Sequence, residues 1–144
     1  PNEPIVALWL FFFFFFTDVF QEFNKYILEA QSFELKELFN EKFYNAILKT
    51  PADFSELLEG GEYQYEGDDY SFPGLAKVIS YFAYARYMRK GNIVSTSHGL
   101  VTKKTNHSEP VSPAERRTEY HNYKKEANIL FEDVKRFLNR KSND

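Results

Sequence analysis

The chain has 144 residues, no cysteine and a formal net charge of −3. A length of this order suits one domain with a single hydrophobic core. The lack of cysteine excludes both a disulfide framework and a thiolate metal site within this sequence.

The charged residues are divided unequally between the two halves of the chain. Residues 1–72 carry 14 acidic and 4 basic side chains, a net charge of −10, whereas residues 73–144 carry 14 basic and 7 acidic side chains, a net charge of +7. Either the acidic half folds against the basic half within one molecule, or unlike surfaces meet between subunits. The composition leaves both explanations open.

An apolar run, Ile5–Phe16, stands near the beginning of the chain and ends in six consecutive phenylalanines. It is too short to span a bilayer, which takes about 20 residues. Glu3 stands where a signal peptide would have a basic flank. We therefore expect no membrane association, and residues 1–16 are assigned to no element.

The apolar spacing predicts a first helix from Thr17 to about Ala30 and, after a break near residues 31–33, a second helix over Glu34–Lys49. Pro51 ends the second helix. A third helix is predicted over Leu75–Arg89. Its apolar residues occupy nearly the whole circumference, which is typical of a helix at the centre of a bundle.

An acidic, tyrosine-rich segment, Glu62–Ser71, separates the second and third helices. The alternation of Tyr63 and Tyr65 is compatible with a short strand. The carboxylates around Gly67 lack the spacing of a calcium-binding loop, so we expect a solvated acidic turn.

A long polar linker, Gly91–Val111, follows the third helix. Connections in compact domains usually run about 2–8 residues, and longer ones are often functional. Short apolar pairs, Ile93-Val94 and Leu100-Val101, flank the turn-like segment Thr96–Gly99. This pattern predicts an extended arm or hairpin that contacts a neighbouring molecule.

The last helix is predicted over residues 112–141 and opens with a capping box, Ser112-Pro113-Ala114-Glu115. Apolar residues then alternate spacings of three and four, as in a heptad seam whose positions are labelled a and d. Beside this seam, the g positions Glu119, Glu126 and Asp133 are acidic, and the e positions Arg117 and Lys124 are basic. These flanks are either the solvated sides of an amphipathic helix or surfaces that meet the flanks of an adjacent copy. Ile129 projects away from the seam and favours a further contact surface.

No catalytic pattern is present in the sequence: it has no phosphate-binding glycine loop, nucleophile elbow or zinc-protease motif. His98, His107 and His121 have no metal-ligand spacing with one another. We expect neither an enzyme nor a bound metal or cofactor. A small nucleic-acid-binding regulator is the alternative, because pairs of basic residues recur in the second half, although acidic residues interrupt them.

Two sequence blocks, Phe72–Tyr87 and Thr96–Lys104 followed by Ser108–Ser112, resemble small helical head–tail connector proteins of tailed phages. The similarity is strongest to those of phages and prophages of Bacteroidetes, including the crAss-like group, and it covers roughly residues 17–138. The segment Tyr26–Gln31 also fits the first helices of these proteins.

This resemblance implies a mainly α, single-domain fold: a four-helix bundle-like adaptor with a long extended arm or hairpin between the last two helices. It implies a virion protein, located in the connector and assembled in the host cytoplasm. A dodecameric homo-oligomeric ring would dock beneath the portal protein and contact further tail or ring proteins. Double-stranded DNA would pass through its lumen without sequence-specific binding.

The residues expected to contact other subunits or partners fall into two groups. The first group lies in the arm and comprises Ile93, Val94, Thr96, His98, Gly99, Leu100, Val101, Lys103 and Lys104. The second group lies on the last helix and comprises Arg117, Glu119, Lys124, Glu126, Ile129 and Asp133.

Overall fold

The computed structural model describes residues 17–91, 93–102 and 109–143. Within these residues the main helices are α1 (Thr17–Ala30), α2 (Glu41–Lys49), α3 (Ser55–Glu59), α4 (Leu75–Lys90) and α5 (Pro113–Lys141). Two antiparallel hairpins lie between them: β1 (Gly61–Tyr65) with β2 (Asp68–Phe72), and β3 (Ile93–Thr96) with β4 (Gly99–Thr102). The expected mainly α class is confirmed.

Helix α4 is the central element, as its apolar circumference predicts. It packs along α5 and also against α1 and α3. Its buried residues lie on several sides of the helix: Leu75, Val78, Ile79, Phe82, Ala83 and Ala85. Phe72, just before α4, stacks on Phe137 near the end of α5, whereas Met88 near the end of α4 contacts Arg116 at the start of α5. The two helices therefore run antiparallel.

The boundary between the first two predicted helices is wrong. The chain does not break near residue 32 but continues through a π-helical segment, Gln31–Leu35, and a last α-helical turn, Lys36–Leu38. The break comes at Phe39, whose backbone is extended, and at Asn40, whose side chain accepts a 2.9 Å hydrogen bond from the backbone N–H of Phe43. Asn40 is thus an N-cap, which starts a new helix inside the segment predicted as one helix.

Helix α5 begins with the predicted capping box. The Ser112 hydroxyl accepts from the Glu115 backbone N–H, and the Glu115 carboxylate accepts from the Ser112 backbone N–H. The buried stripe of α5 is wider than the predicted seam, because it comprises Ala127, Phe131, Val134 and Phe137, and Phe131 occupies an e position. A stripe of this width is typical of a helix packed in its own domain.

The short strand with which the alternation of Tyr63 and Tyr65 is compatible is present, and it forms one side of the β1–β2 hairpin. Glu66 and Gly67 make a two-residue turn with φ angles of 53° and 87°, the backbone sign that a type I′ turn needs at both positions. Tyr63 pairs with Tyr70 on one face of the hairpin. This face packs on α5, where the Tyr63 and Phe137 rings lie 5.1 Å apart.

Candidate partner-binding surfaces

The linker between α4 and α5 contains a regular hairpin. Strand β3 pairs with β4 in the register Ile93 with Thr102 through Thr96 with Gly99. At the turn the Thr96 hydroxyl donates a 2.9 Å hydrogen bond to the Gly99 carbonyl and accepts one from the His98 backbone N–H. The arm-or-hairpin alternative is therefore resolved as a hairpin over residues 93–102.

Apolar side chains lie on both faces of the β3–β4 hairpin. Ile93 and Leu100 share one face by the strand register, and Val101 lies on the other. Their exposed fractions are 46%, 75% and 44%, and every other side chain described on the hairpin is exposed. Among the described residues, no hydrogen bond or ion pair joins a side chain of the β3–β4 hairpin to a helix.

The structure places the predicted contact residues as follows. The arm residues Ile93, Thr96, His98, Gly99, Leu100 and Val101 lie exposed in the hairpin, and Val94 lies within β3. Lys103 and Lys104 lie outside the described residues. On α5, Arg117, Glu119, Glu126 and Ile129 are exposed, whereas Lys124 and Asp133 are half-buried. Asp133 forms an ion pair of 2.9 Å with Arg136 in the same helix.

Arg116 ties the end of α4 to the start of α5, at the base of the hairpin. Its Nε donates a 2.9 Å hydrogen bond to the Met88 carbonyl, and its Nη2 donates a 2.7 Å bond to the Arg89 carbonyl. These bonds satisfy carbonyls in the last turn of α4, which a helix end leaves without intrahelical partners. The two ends of the 91–111 linker are therefore held by one side chain. The sequence does not predict this role, because Arg116 stands there only as one of the paired basic residues of the second half.

Arg86 joins the acidic half of the chain to the basic half. Its Nε and Nη2 donate to the Glu34 carboxylate at 2.9 and 2.8 Å, and its Nη1 donates to Glu29 at 3.0 Å. Burial lowers the pKa of Arg86, but hydrogen bonds and charges of Glu34 and Glu29 outweigh it and raise the pKa above its ordinary value. Lys141 likewise pairs with Glu56 at 3.3 Å. For these groups the explanation of the charge imbalance as internal pairing is confirmed.

Arg140 lies against the tyrosines of the β1–β2 hairpin. Its Nη1 donates a 2.8 Å hydrogen bond to the Tyr63 hydroxyl, and its guanidinium carbon lies 3.7 Å from the centre of the Tyr70 ring and 5.3 Å from that of Tyr65. Cation–π contacts at such distances are stabilising. The tyrosines thus bind the hairpin to α5, a role that their alternation in the sequence does not reveal.

Two other kinds of site are absent from the described ranges. No group of three or more His, Cys, Asp or Glu side chains there could hold a metal ion. None of the helices in that part of the chain combines the length and apolar character that a bilayer crossing needs.

The fold and these surfaces define a small, mainly α protein with one tyrosine-rich hairpin packed on its helices and a second hairpin exposed to solvent. The model of DUF6712, a family of unknown function, matches residues 35–144. This match covers more than half of the chain, so the chain belongs to that family. No curated protein and no solved structure matches the chain.

Proposed function

We propose that the protein is a structural adaptor of a tailed-phage head–tail connector, and that it assembles as a ring beneath the portal protein. In this ring the four-helix bundle-like body forms the subunit, and the β3–β4 hairpin is the arm that contacts a neighbouring chain. DNA passes through the lumen without sequence-specific binding. The observation that carries the proposal is the exposure of apolar side chains on both faces of the hairpin.

An isolated two-stranded hairpin is at most marginally stable in water, and its outer edges leave backbone hydrogen-bonding groups unpaired. A partner that adds a strand to one edge supplies main-chain hydrogen bonds, while Ile93 and Leu100 supply side-chain anchors. Arg116 holds the base of the hairpin at both ends. This attachment lowers the entropy cost of presenting the hairpin to a partner.

The alternative, a nucleic-acid-binding regulator, has less support. Arg116 and Arg140 use their guanidinium groups for hydrogen bonds within the molecule, and Lys141 pairs with Glu56. On α5, Lys135 and Arg136 pair with Glu132 and Asp133. Binding to phosphates would compete with these contacts.

The proposal is tested by replacing Ile93–Thr102 with a short Gly/Ser linker and co-expressing the variant with the portal protein of the same genome. Circular dichroism should show an unchanged helix content, because the hairpin makes no described side-chain bond to the helices. Native mass spectrometry and electron microscopy should show that wild-type chains join the portal complex and that the variant does not. Incorporation of the variant at the wild-type level would contradict the role of the arm.

Three point substitutions refine this experiment. Leu100→Ser removes the most exposed of the apolar side chains described on the hairpin, and Ile129→Ser removes an apolar side chain of α5 that is 56% exposed. Leu100→Ser should reduce incorporation, whereas Ser97→Ala, a change at an exposed polar position of the same hairpin, should not. The result for Ile129→Ser shows whether α5 provides the further contact surface.

A further inference from the structure

The two ends of α5 lie far apart and belong to different surfaces. Helix α5 has 29 residues, about 43 Å at 1.5 Å per residue, and Arg116 and Arg140 are separated by about 36 Å along it. Arg140 contacts the β1–β2 hairpin, whereas Arg116 contacts the end of α4 from which the β3–β4 hairpin leaves. We name the surface at the Arg140 end, which includes the β1–β2 hairpin, the acidic end. We name the surface at the Arg116 end the cationic end.

The acidic end carries exposed carboxylates that point away from the body. Residues 50–72 contain seven acidic and no basic residues. By the strand register Glu62 and Asp69 lie on the face of the β1–β2 hairpin opposite Tyr63 and Tyr70, which face α5. Both carboxylate side chains are exposed, and so is Glu66 at the turn.

The cationic end has the complementary charge. Arg89, Arg117 and Lys125 are exposed there, and Arg89 lies 5.1 Å from the centre of the Tyr120 ring. Among the carboxylates nearby, Glu29 and Glu34 are bound to Arg86 and Glu115 lies within the capping box, whereas Glu22 is exposed. Glu119 stays exposed.

An aromatic face lies beside these cations and is partly exposed. Tyr84 and Tyr87 on the last turns of α4 are 44% and 39% exposed. Tyr84 stacks on Tyr123 with 5.5 Å between ring centres, and Phe23 lies 5.0 Å from Tyr84. Exposed aromatic rings beside arginines are the composition favoured at protein–protein interfaces.

We propose that the cationic end of one copy binds the acidic face of the β1–β2 hairpin of a second copy. One molecule cannot make this contact with itself, because its own two ends are separated by about 36 Å along α5. The contact joins two different surfaces of the same chain, so it repeats head to tail and closes into a ring when the rotation between copies permits. The inference rests on the proposed adaptor function and identifies the contact between its neighbouring subunits.

The experiment uses two double variants. Glu62→Lys with Asp69→Lys makes the acidic end basic, and Arg89→Glu with Arg117→Glu makes the cationic end acidic. Each variant alone should associate at least about tenfold more weakly than wild type in sedimentation velocity at low salt, because like charges then face each other. An equimolar mixture should regain wild-type association, since each substituted end meets a complementary end on the other variant.

Matched controls carry the same charge changes elsewhere. Glu37→Lys with Glu41→Lys, and Lys42→Glu with Lys49→Glu, alter exposed positions outside both ends. These variants should associate like wild type, and circular dichroism should show the same helix content for all chains. A mixture that stays dissociated, a wild-type chain that shows no self-association at low salt, or single variants that associate like wild type would each overturn the proposal.

Co-expression with the portal protein separates this inference from the function on which it rests. Each double variant alone should be excluded from the portal complex, and the two together should be incorporated. If the charge-reversed variants are incorporated normally while the hairpin replacement is not, the end-to-end contact is wrong and the adaptor function stands. If the hairpin replacement is incorporated as well, the role of the arm is wrong, and if the wild-type chain itself does not join the portal complex, the adaptor function is wrong.

Discussion

The backbone at Gly60 lies close to the backbone at Gly74, where the β1–β2 hairpin leaves and rejoins the helical body. Their φ angles are 74° and 80°, a region that side-chain-bearing residues rarely adopt. A Cβ atom on Gly60 would lie 2.4 Å from the Gly74 nitrogen, and one on Gly74 would lie 2.5 Å from the Glu59 carbonyl carbon. Both positions therefore need glycine for backbone conformation and for close approach.

We predict that Gly74→Ala lowers the free energy of unfolding by more than about 2 kcal/mol, because the new methyl group meets backbone that cannot move aside. Gly67→Ala is the matched control, since Gly67 also has a positive φ of 87° but open space around it. It should cost about 1 kcal/mol, from the backbone conformation alone. Urea denaturation measures both values. Equal losses would show that the close contact contributes nothing.

Residues whose partners are near in sequence were the ones that the sequence could predict. The capping box of Ser112 and Glu115 spans three residues and was predicted correctly. The bonds of Arg116 and Arg140 reach partners 28 and 77 positions away. A single sequence has no local pattern that indicates such pairs, so the sequence predicts neither contact.

At the scale of the elements, the contacts that join the β1–β2 hairpin to α5 include an aromatic stack, the Tyr63–Phe137 ring contact and Arg140. The Phe72 and Phe137 rings stack with 3.9 Å between their centres, and Arg140 bonds to Tyr63 and lies over Tyr70. The stack holds the end of the hairpin nearest the body, whereas Arg140 contacts the tyrosines nearer the turn. Arg140 therefore helps to hold the outer part of the hairpin on α5.

We predict that Arg140→Met loosens the hairpin without unfolding the helices. The methionine keeps an apolar stem but loses a hydrogen bond and the cation–π contacts, together worth about 2 kcal/mol. Hydrogen exchange at the β1–β2 amides should become roughly thirtyfold faster, while exchange in α4 should stay unchanged. Arg136→Met is the control, because Arg136 pairs with Asp133 in its own helix. Unchanged hairpin exchange in Arg140→Met would refute this role.

The elements themselves were predictable where apolar spacing and end signals agreed. Helices α4 and α5 have long apolar patterns with clear starts, and both were placed correctly. The α1–α2 boundary was wrong because apolar spacing continues across it, although Asn40 offered an N-cap signal. The ring of Phe39 packs 5.0 Å from Phe43 and 5.5 Å from Phe131. The Phe39 backbone is extended where its ring makes these two contacts, one near in sequence and one far away. Helical periodicity does not predict either contact.

In the whole molecule, the charge imbalance between the two halves is partly paired within the fold and partly exposed on its surface. Part of it is internal, because Arg86 and Lys90 of the basic half bind Glu29 and Glu34 of the acidic half. The remainder stays exposed, as at Glu62 and Asp69. The sequence showed the imbalance but not its division, since that division depends on which charges the packing of α1 on α4 brings together.

Arg86 is the strongest of these cross-half contacts, and its removal is the sharpest test of internal pairing. The side chains of Arg86, Glu34 and Glu29 are 16%, 15% and 21% exposed, so the carboxylates would lose a partner in a site poor in water. We predict that Arg86→Met lowers the free energy of unfolding by about 2–3 kcal/mol, below the 3–5 kcal/mol of fully buried pairs because some solvent reaches the site. Adding Glu34→Gln should recover part of this loss, because one unpaired charge is then gone.

Lys90→Met, whose side chain is 49% exposed, should cost at most about 0.5 kcal/mol. Urea denaturation compares the three chains, and equal costs for Arg86→Met and Lys90→Met would mean that pairing between the halves does not stabilise the fold.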